Sequence, residues 1–581
     1  MALLHPNGRE ISRQEVARAR ASANAGEGRR GHAYQGADTN GVWTANWPAR
    51  LQSADRDWLP ARNMSVARAR DLINNELGGR SIVSRRRNAA IGRGWRRSSR
   101  PSARALGMTQ QEARDLGQAI EVEWDLYAYG HSFSCDAERR FTFGQLLRIA
   151  ATHLMQDGEF LAVVEWAEGE STKYKTRLRL VDPDRLCNPR GVPDNGSVRP
   201  GFKIRGGVEY DQNDIPVAYW IREQHPSDVG LQVAMSEPQR WDRFAHALGR
   251  PQVLHGFDPE RAGQSRGVSA FAAALKGFRA LSRFQDATLQ SAVINALVVG
   301  FMQSSAGPEA VSESFSAEDL ATFDGDREAF YKQNPVKIGE AILPVLPLGD
   351  ELKLATASKD VGQFDAFFRS IYRLICATLG VTYEEGSMDY SSTNYSSARA
   401  AMIPAWKETE AFMGTIDAML ATPFHAAWLE EAFEEGHVRP ANDNAPSWYE
   451  AQEAYAKGRW IGPGRGYIDQ TKEVAAAAGR LEAGISTLED ECADQGKDWV
   501  EVLDQREYEL AEIANRPHLA AAMAQGFNPL TGQAQPAPAQ TGDGQVAPED
   551  ARPAARSALS ALRAMADSPA HEAFLDARPA A

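Results

Sequence analysis

Between positions 364 and 420 the apolar residues recur at helical spacing on either side of a polar break. Phe364, Phe367, Phe368, Ile371 and Ile375 predict one apolar helix face, and Gly380 supplies the stop. A second helix is predicted from Ser396, with Met402, Trp406, Met413, Ile416 and Leu420 on its repeat. The break between them carries Tyr383, Glu384, Glu385, Asp389, Tyr390, Asn394 and Tyr395, and no lysine or arginine. Taken alone, the pattern also fits an ordinary helical hairpin.

Elsewhere the periodicity is shorter-ranged. A short helix is expected over residues 65–77, with Leu72, Ile73 and Leu77 on one side. Residues 141–165 read as a helix (FGQLLRIAATHLM), the turn Asp157-Gly158, and a strand (FLAVVEW). From 177 to 221 the segments RLRLV, FKIRGGVEY and VAYWI predict a small β-rich module, with Asp211 to Asp214 as a hairpin turn. Phe271, Leu275 and Phe278 then form an apolar face opposite a basic stripe of Lys276, Arg279 and Arg283. Residues 263–303 would make one helix of roughly ten turns, unusually long for a compact domain. Residues 304–357 are mixed, and beyond Glu431 the pattern is mainly helical to about Ala524. After Asn528 Pro, Ala, Gln and Gly dominate, a composition that predicts disorder.

The 581-residue chain is long enough for several domains. Its longest apolar run, AVINALVVGFM, is too short to span a bilayer, and MALLHPNGRE has no signal-like apolar region. Cys135, Cys187, Cys376 and Cys492 are scattered without metal-ligand spacing, which suits a reducing compartment. The net charge of −13 is uneven: residues 1–105 hold 20 Arg, no Lys and 8 acids, and the rest carries a formal −25. That asymmetry suits either an acidic partner at the basic end or ion pairs with neighbouring subunits. The run RRRNAAIGRGWRR is a candidate phosphate contact, although no sequence-reading fold surrounds it.

Catalytic patterns are sparse. Gly263-Gln264-Ser265-Arg266-Gly267 matches G-x-S-x-G, which makes Ser265 a candidate hydrolase nucleophile. That motif needs a strand immediately before the serine, and FDPERA stands there instead. No Walker A motif, HExxH or CxxC occurs. His153 and His255 read as structural. We therefore assign no catalytic residue, metal ligand or cofactor.

The stretches ARARDLINNE…IGRGWR, FTFGQLLRIAATHLMQDGEF, GGVEYDQNDIPVAYWI, VLHGFDPERAGQSRGVSAF, TNYSSARAAMIPAW and GYIDQTKEVAAAAGRLEAGISTLEDECADQGKDW follow one another in a telling order. Together, over residues 30–515, they resemble the lambda-like family of bacteriophage portal proteins. Asp469-Gln470 departs from the Asp-Pro expected there, a change confined to a turn. The resemblance implies an α+β, mainly helical fold built into a ring of about twelve subunits around a channel for double-stranded DNA. It implies a mobile arm at 1–39, a wing with the β-rich module at 40–262, a first stem helix at 263–303 and a clip at 304–357. A second stem helix would follow at 358–380, a tunnel loop at 381–396, a helix returning to the wing at 397–430, a crown at 431–525 and a disordered tail at 526–581. Tyr383, Glu384, Glu385, Asp389, Tyr390 and Asn394 would face DNA. Lys276, Arg279, Arg283, Phe364, Phe368 and Ile371 would line the subunit interface. Implied partners are the terminase large subunit, major capsid and scaffold proteins and head–tail connectors, with no membrane. The setting would be the capsid vertex of a virion, after assembly in host cytoplasm.

Overall fold

A computed structural model describes residues 47–516, apart from 48, 169–171, 229–236, 246–248, 298–328, 330–361, 392, 443 and 467–469, together with 527–528 and 533–534. The arm at 1–39, essentially all of the 304–357 segment and nearly all of the 526–581 tail lie outside the described residues. The chain divides into a unit ending at Glu501 and a second beginning at Val502. The two larger sheets and the hydrophobic cores lie in the first.

Two helices, Ala54–Asn75 and Leu77–Ala90, open the described chain. The first begins well ahead of the expected residue 65, with the Ser53 side chain accepting the Arg56 amide, and it runs through Pro60. Leu72 and Ile73 are buried as expected, but Leu77 starts the next helix and is 92% exposed. The early turns escaped the apolar pattern because Asp55 and Arg62 are buried there, Arg62 against the Glu159 carboxylate. The basic run from Arg85 to Arg97 is divided between the second helix, a turn and strand β1 (Arg96–Ser99), and Arg86 and Arg97 are buried.

The helix Phe143–Gln156, the turn at Asp157-Gly158 and strand β2 (Glu159–Trp166) form as read. Gly158 has φ +84°, and a Cβ there would lie 2.2 Å from the Val268 carbonyl carbon, so no side chain fits this turn. β2 is the centre of an antiparallel sheet ordered β3-β2-β9, with β3 at Thr176–Val181 and β9 at Val253–Phe257. A five-stranded antiparallel meander packs beside it: β4 (Ser197–Arg199), β5 (Phe202–Arg205), β6 (Val208–Tyr210), β7 (Pro216–Ile221) and β8 (Gln239–Asp242). Leu161, Val163 and Val181 of the first sheet share a core with Val208, Tyr219 and Ile221 of the second.

The largest core gathers aromatic residues from distant parts of the chain. Trp124, on the helix Gln110–Tyr129, meets Phe143, Phe424, His425 and Trp428 with ring centroids 4.9–6.1 Å apart. Trp448, Tyr455 and Trp460 pack into or against the same core. Strand β10 (Gly458–Ile461) pairs with β1, placing Arg96 opposite Ile461. A boundary at 430/431 is therefore corrected: the helix Thr422–Glu434 crosses it, and the chain beyond shares the core of residues 90–180.

The helix expected over 263–303 starts only at Leu275 and is described to Leu297. The Glu159 carboxylate takes the Gly267 amide, which a helix starting at 263 would need for its own ladder. The next described helix is Gly362–Thr378. Phe271, Phe278 and Ile375 bury between these two helices and the Ala54–Asn75 and Leu77–Ala90 pair, each contributing about 1.5–3 kcal/mol. The long return helix runs Tyr395–Ile416, passes through a π-helical segment at Asp417–Ala421, and continues as Thr422–Glu434.

Candidate functional site

Two arrangements dominate the half of the unit that holds the long helices: a buried ionic joint where the first long helix leaves the sheet, and a pinned loop between the second and the return helix. The joint is built on Glu159, the first residue of β2. Its carboxylate, fully buried, accepts Arg62 Nη2 at 2.8 Å, Arg266 Nη2 at 2.5 Å, His255 Nε2 at 3.0 Å and the Gly267 amide at 2.9 Å. Burial opposes ionisation, but the Arg266 and Arg62 guanidiniums outweigh it and hold the Glu159 carboxyl well below the usual carboxylate range. One strand end thus ties the Ala54–Asn75 helix, β9 and the segment entering the Leu275–Leu297 helix.

The two long helices pair inside the chain. Phe284 stacks on Phe364 at 5.4 Å and meets Phe367 at 4.6 Å, while Phe368 stacks on Tyr372 at 5.7 Å. Phe368 and Ile371 pack against the same core as Phe278 and Tyr372. Phe364, Phe368 and Ile371 thus serve the seam within one chain and remain half-buried there. Lys276, Arg279 and Arg283 are exposed, and among the described residues none of them has an ion-pair partner. Leu289 and Leu374 are also left exposed, at 66% and 68%.

The described residues of the segment 381–396 are held by specific hydrogen bonds. Gly380, at φ +67°, ends the preceding helix, and Arg86 donates to the Gly380 carbonyl at 2.7 Å and the Leu379 carbonyl at 3.1 Å. The same guanidinium reaches the Glu408 carbonyl at 2.9 Å, so one buried arginine joins both helices to the Leu77–Ala90 helix. Tyr383–Ser387 forms a short helix in which Thr382 and Glu385 make a capping box. The Tyr372 hydroxyl and Ser81 Oγ both donate to the Gly386 carbonyl, at 3.1 and 2.8 Å. Tyr383 is buried, so its expected exposure is corrected: its ring packs against Tyr372, and its hydroxyl donates to Asp389. Glu384 accepts Thr393, and Asn394 caps the return helix. Met388 and Tyr390 stand outward, each about half exposed.

Ser265 is buried, its amide and hydroxyl both donating to Asp55 at 2.7 and 2.6 Å. The partner is a carboxylate rather than an imidazole, β9 ends at Phe257 without running into the motif, and the helix begins only at Leu275, so a nucleophile elbow does not form. His153 and His255 bond Asp157 and Glu159 and complete ionic clusters. Among the described residues Asp182, Asp184 and His225 have metal-ligand proximity, but Arg62 and Arg70 already bond both aspartates. Sequence reasoning missed Asp55, Arg86 and Glu159. A signal existed for Arg86, which lies at helical spacing from the buried Ile82, Val83 and Ala90 and so falls on an apolar face.

A family model described as phage portal protein, lambda family, matches residues 41–412. The portal protein of Escherichia phage N15 is 32% identical over 80% of this chain and 87% of its own. Portal protein B of Escherichia phage lambda is 31% identical over the same shares of the two chains. The probable portal protein of a Halomonas phage, phiHAP-1, is 24% identical over 79% and 83%. Among solved structures, a chain from the neck of a native gene transfer agent particle is similar at 14% identity and a TM-score of 0.35, over 76% of this chain and 99% of that one. No helix among the described residues is long and apolar enough to cross a membrane. With the family model covering more than half the sequence and two relatives above 30% identity, the chain belongs to the lambda family of phage portal proteins.

Proposed function

We propose that this chain forms a ring of about twelve subunits at one capsid vertex, and that the ring is the channel through which double-stranded DNA is packaged and ejected. The observation that carries the reading is the helical hairpin of Leu275–Leu297 and Gly362–Thr378. It is closed within the chain along Phe284 and Phe364, yet exposes a basic stripe with no ion-pair partner among the described residues. A head-to-tail ring presents two different faces per subunit, and such a stripe is satisfied by acids of the next copy. In this reading the hairpin is the stem, the sheets belong to the wing, and the segment 381–396 borders the bore. The terminase large subunit, the capsid and scaffold proteins and the head–tail connectors dock on the outer faces. In this reading the subunit is structural and non-enzymatic, and the Ser265 hydroxyl bonds Asp55 rather than a general base.

Light scattering and top-view particle images of the purified protein test this. Twelve copies of the 63.6 kDa chain weigh about 760 kDa and enclose a hole on the symmetry axis. A monomer with esterase activity would overturn it.

A further inference from the structure

Between the Leu77–Ala90 and Phe143–Gln156 helices lies a groove of about 360 Å³. Arg87, Arg148, Gln145, Thr152 and His153 supply its polar lining, His153 being held by Asp157 behind it, and Phe141 and Ile149 its apolar part. Neither arginine meets a carboxylate among the described residues. Arg87 reaches only Thr152 Oγ1, at 3.4 Å, and its Nε is buried without a partner. Arg148 donates to the Gly92 carbonyl at 2.6 Å. Arg80, one heptad before Arg87 and on the same helix face, is exposed. Burial and the positive charges of Arg148 and Arg80 together push the Arg87 guanidinium below its usual range. Like charges converging on a concave site, without an acid between them, are costly until an anion enters.

We propose that this groove receives a carboxylate-bearing segment from a second copy of this chain, held by Arg87 and Arg148. Guanidinium groups bind carboxylates in a planar, two-pronged fashion, and this site offers two of them, Arg87 and Arg148. Charge complementarity favours a second copy, because beyond residue 105 the chain carries a formal −25. A closed ring requires that both halves of each contact sit on the same sequence. A DNA duplex fits less well: its convex backbone would meet protruding cations, whereas Arg87 Nε is covered within the groove. The proposal rests on the ring proposed for this chain.

The test uses the full-length chain carrying Arg87→Lys and Arg148→Lys, mixed from isotopically light and heavy preparations, and a zero-length carbodiimide that joins amines to carboxylates. The expected result is mixed-isotope cross-linked peptides joining position 87 or 148 to an Asp or Glu of another copy. The Arg87→Gln, Arg148→Gln double variant should keep the melting temperature of its monomer and need about ten-fold more protein to assemble. Rings that yield no such link, or a Gln variant that assembles normally, would overturn the site alone. A protein that stays at 63.6 kDa would overturn both this site and the ring.

Discussion

Arg266 lies against Glu159 with Nη2 at 2.5 Å and Nε at 2.8 and 2.9 Å from the carboxylate oxygens, and neither side chain is more than 3% exposed. The remaining Arg266 donors reach the Leu186, Gly206 and Pro183 carbonyls at 2.8–3.1 Å, so the guanidinium is fully satisfied. Removing one partner of such a pair leaves a buried charge short of compensation. Arg266→Met should cost about 3–5 kcal/mol, read as a lower urea midpoint. Retention of wild-type stability would show that Arg62 and His255 suffice for Glu159.

His425 should make stability fall in mild acid. Its ring is 1% exposed among Trp124, Trp428 and Trp460, and neither ring nitrogen has a partner. Burial, and then the charge of Arg97, push its pKa well below the ordinary value, so it stays neutral in the fold while the unfolded chain takes up a proton. That contribution is complete above about pH 6.5 and is lost at about 1.4 kcal/mol per pH unit below it. Glu121 runs the other way: burial raises its carboxyl to about 7, so its contribution is lost as pH rises through that value. The difference between wild type and His425→Phe isolates the histidine. Between pH 6.5 and 5 the variant should lose about 2 kcal/mol less, and parallel pH curves would refute the assignment.

Local readings were legible where side chains obey their periodicity. Leu146, Leu147, Phe160 and Val163 gave the helix–turn–strand at 143–166 because each is buried where its period puts it. The β-rich module was legible through its turns. What escaped was set by distant partners. No local pattern predicts that Arg96 faces Ile461, or that Trp448 and Trp460 join the core of Trp124. Arg62, Arg86 and Arg266 look like surface residues, yet they are buried because carboxylates and helix-end carbonyls await them. The same physics opposed a helix start at 263, and the first long helix begins at Leu275, since Glu159 takes the Gly267 amide that such a helix would use. The acidic loop was legible as a loop, but the burial of Tyr383 depends on Tyr372 one helix away.

Arg279 is exposed on the Leu275–Leu297 helix, on a different face from the phenylalanine seam. Charge reversal there leaves the hairpin of a single subunit unchanged. In a ring it would set a carboxylate against the acids of the next copy. Arg279→Glu should raise the concentration for half-assembly by about ten-fold at low salt, with a smaller effect at high salt. Unchanged assembly by light scattering would move the subunit contact to another face.

A channel passes a duplex only if it does not grip it, and one added cation per subunit recurs about twelve times around a ring. Reversing Glu384 and Glu385 to lysine should stall DNA passage. However, Glu385 also bonds the Thr382 amide at 2.9 Å and Glu384 accepts Thr393 at 3.0 Å, so that change loosens the loop as well. Tyr390 is 52% exposed, so Tyr390→Arg adds charge with little structural cost. Its rings should keep wild-type mass while packaging slows several-fold, and more so at low salt. Glu385→Gln, which preserves the capping box, should package normally. If Tyr390→Arg packages at the wild-type rate, the loop does not border the bore, and the DNA-facing surface must be sought on another part of the subunit.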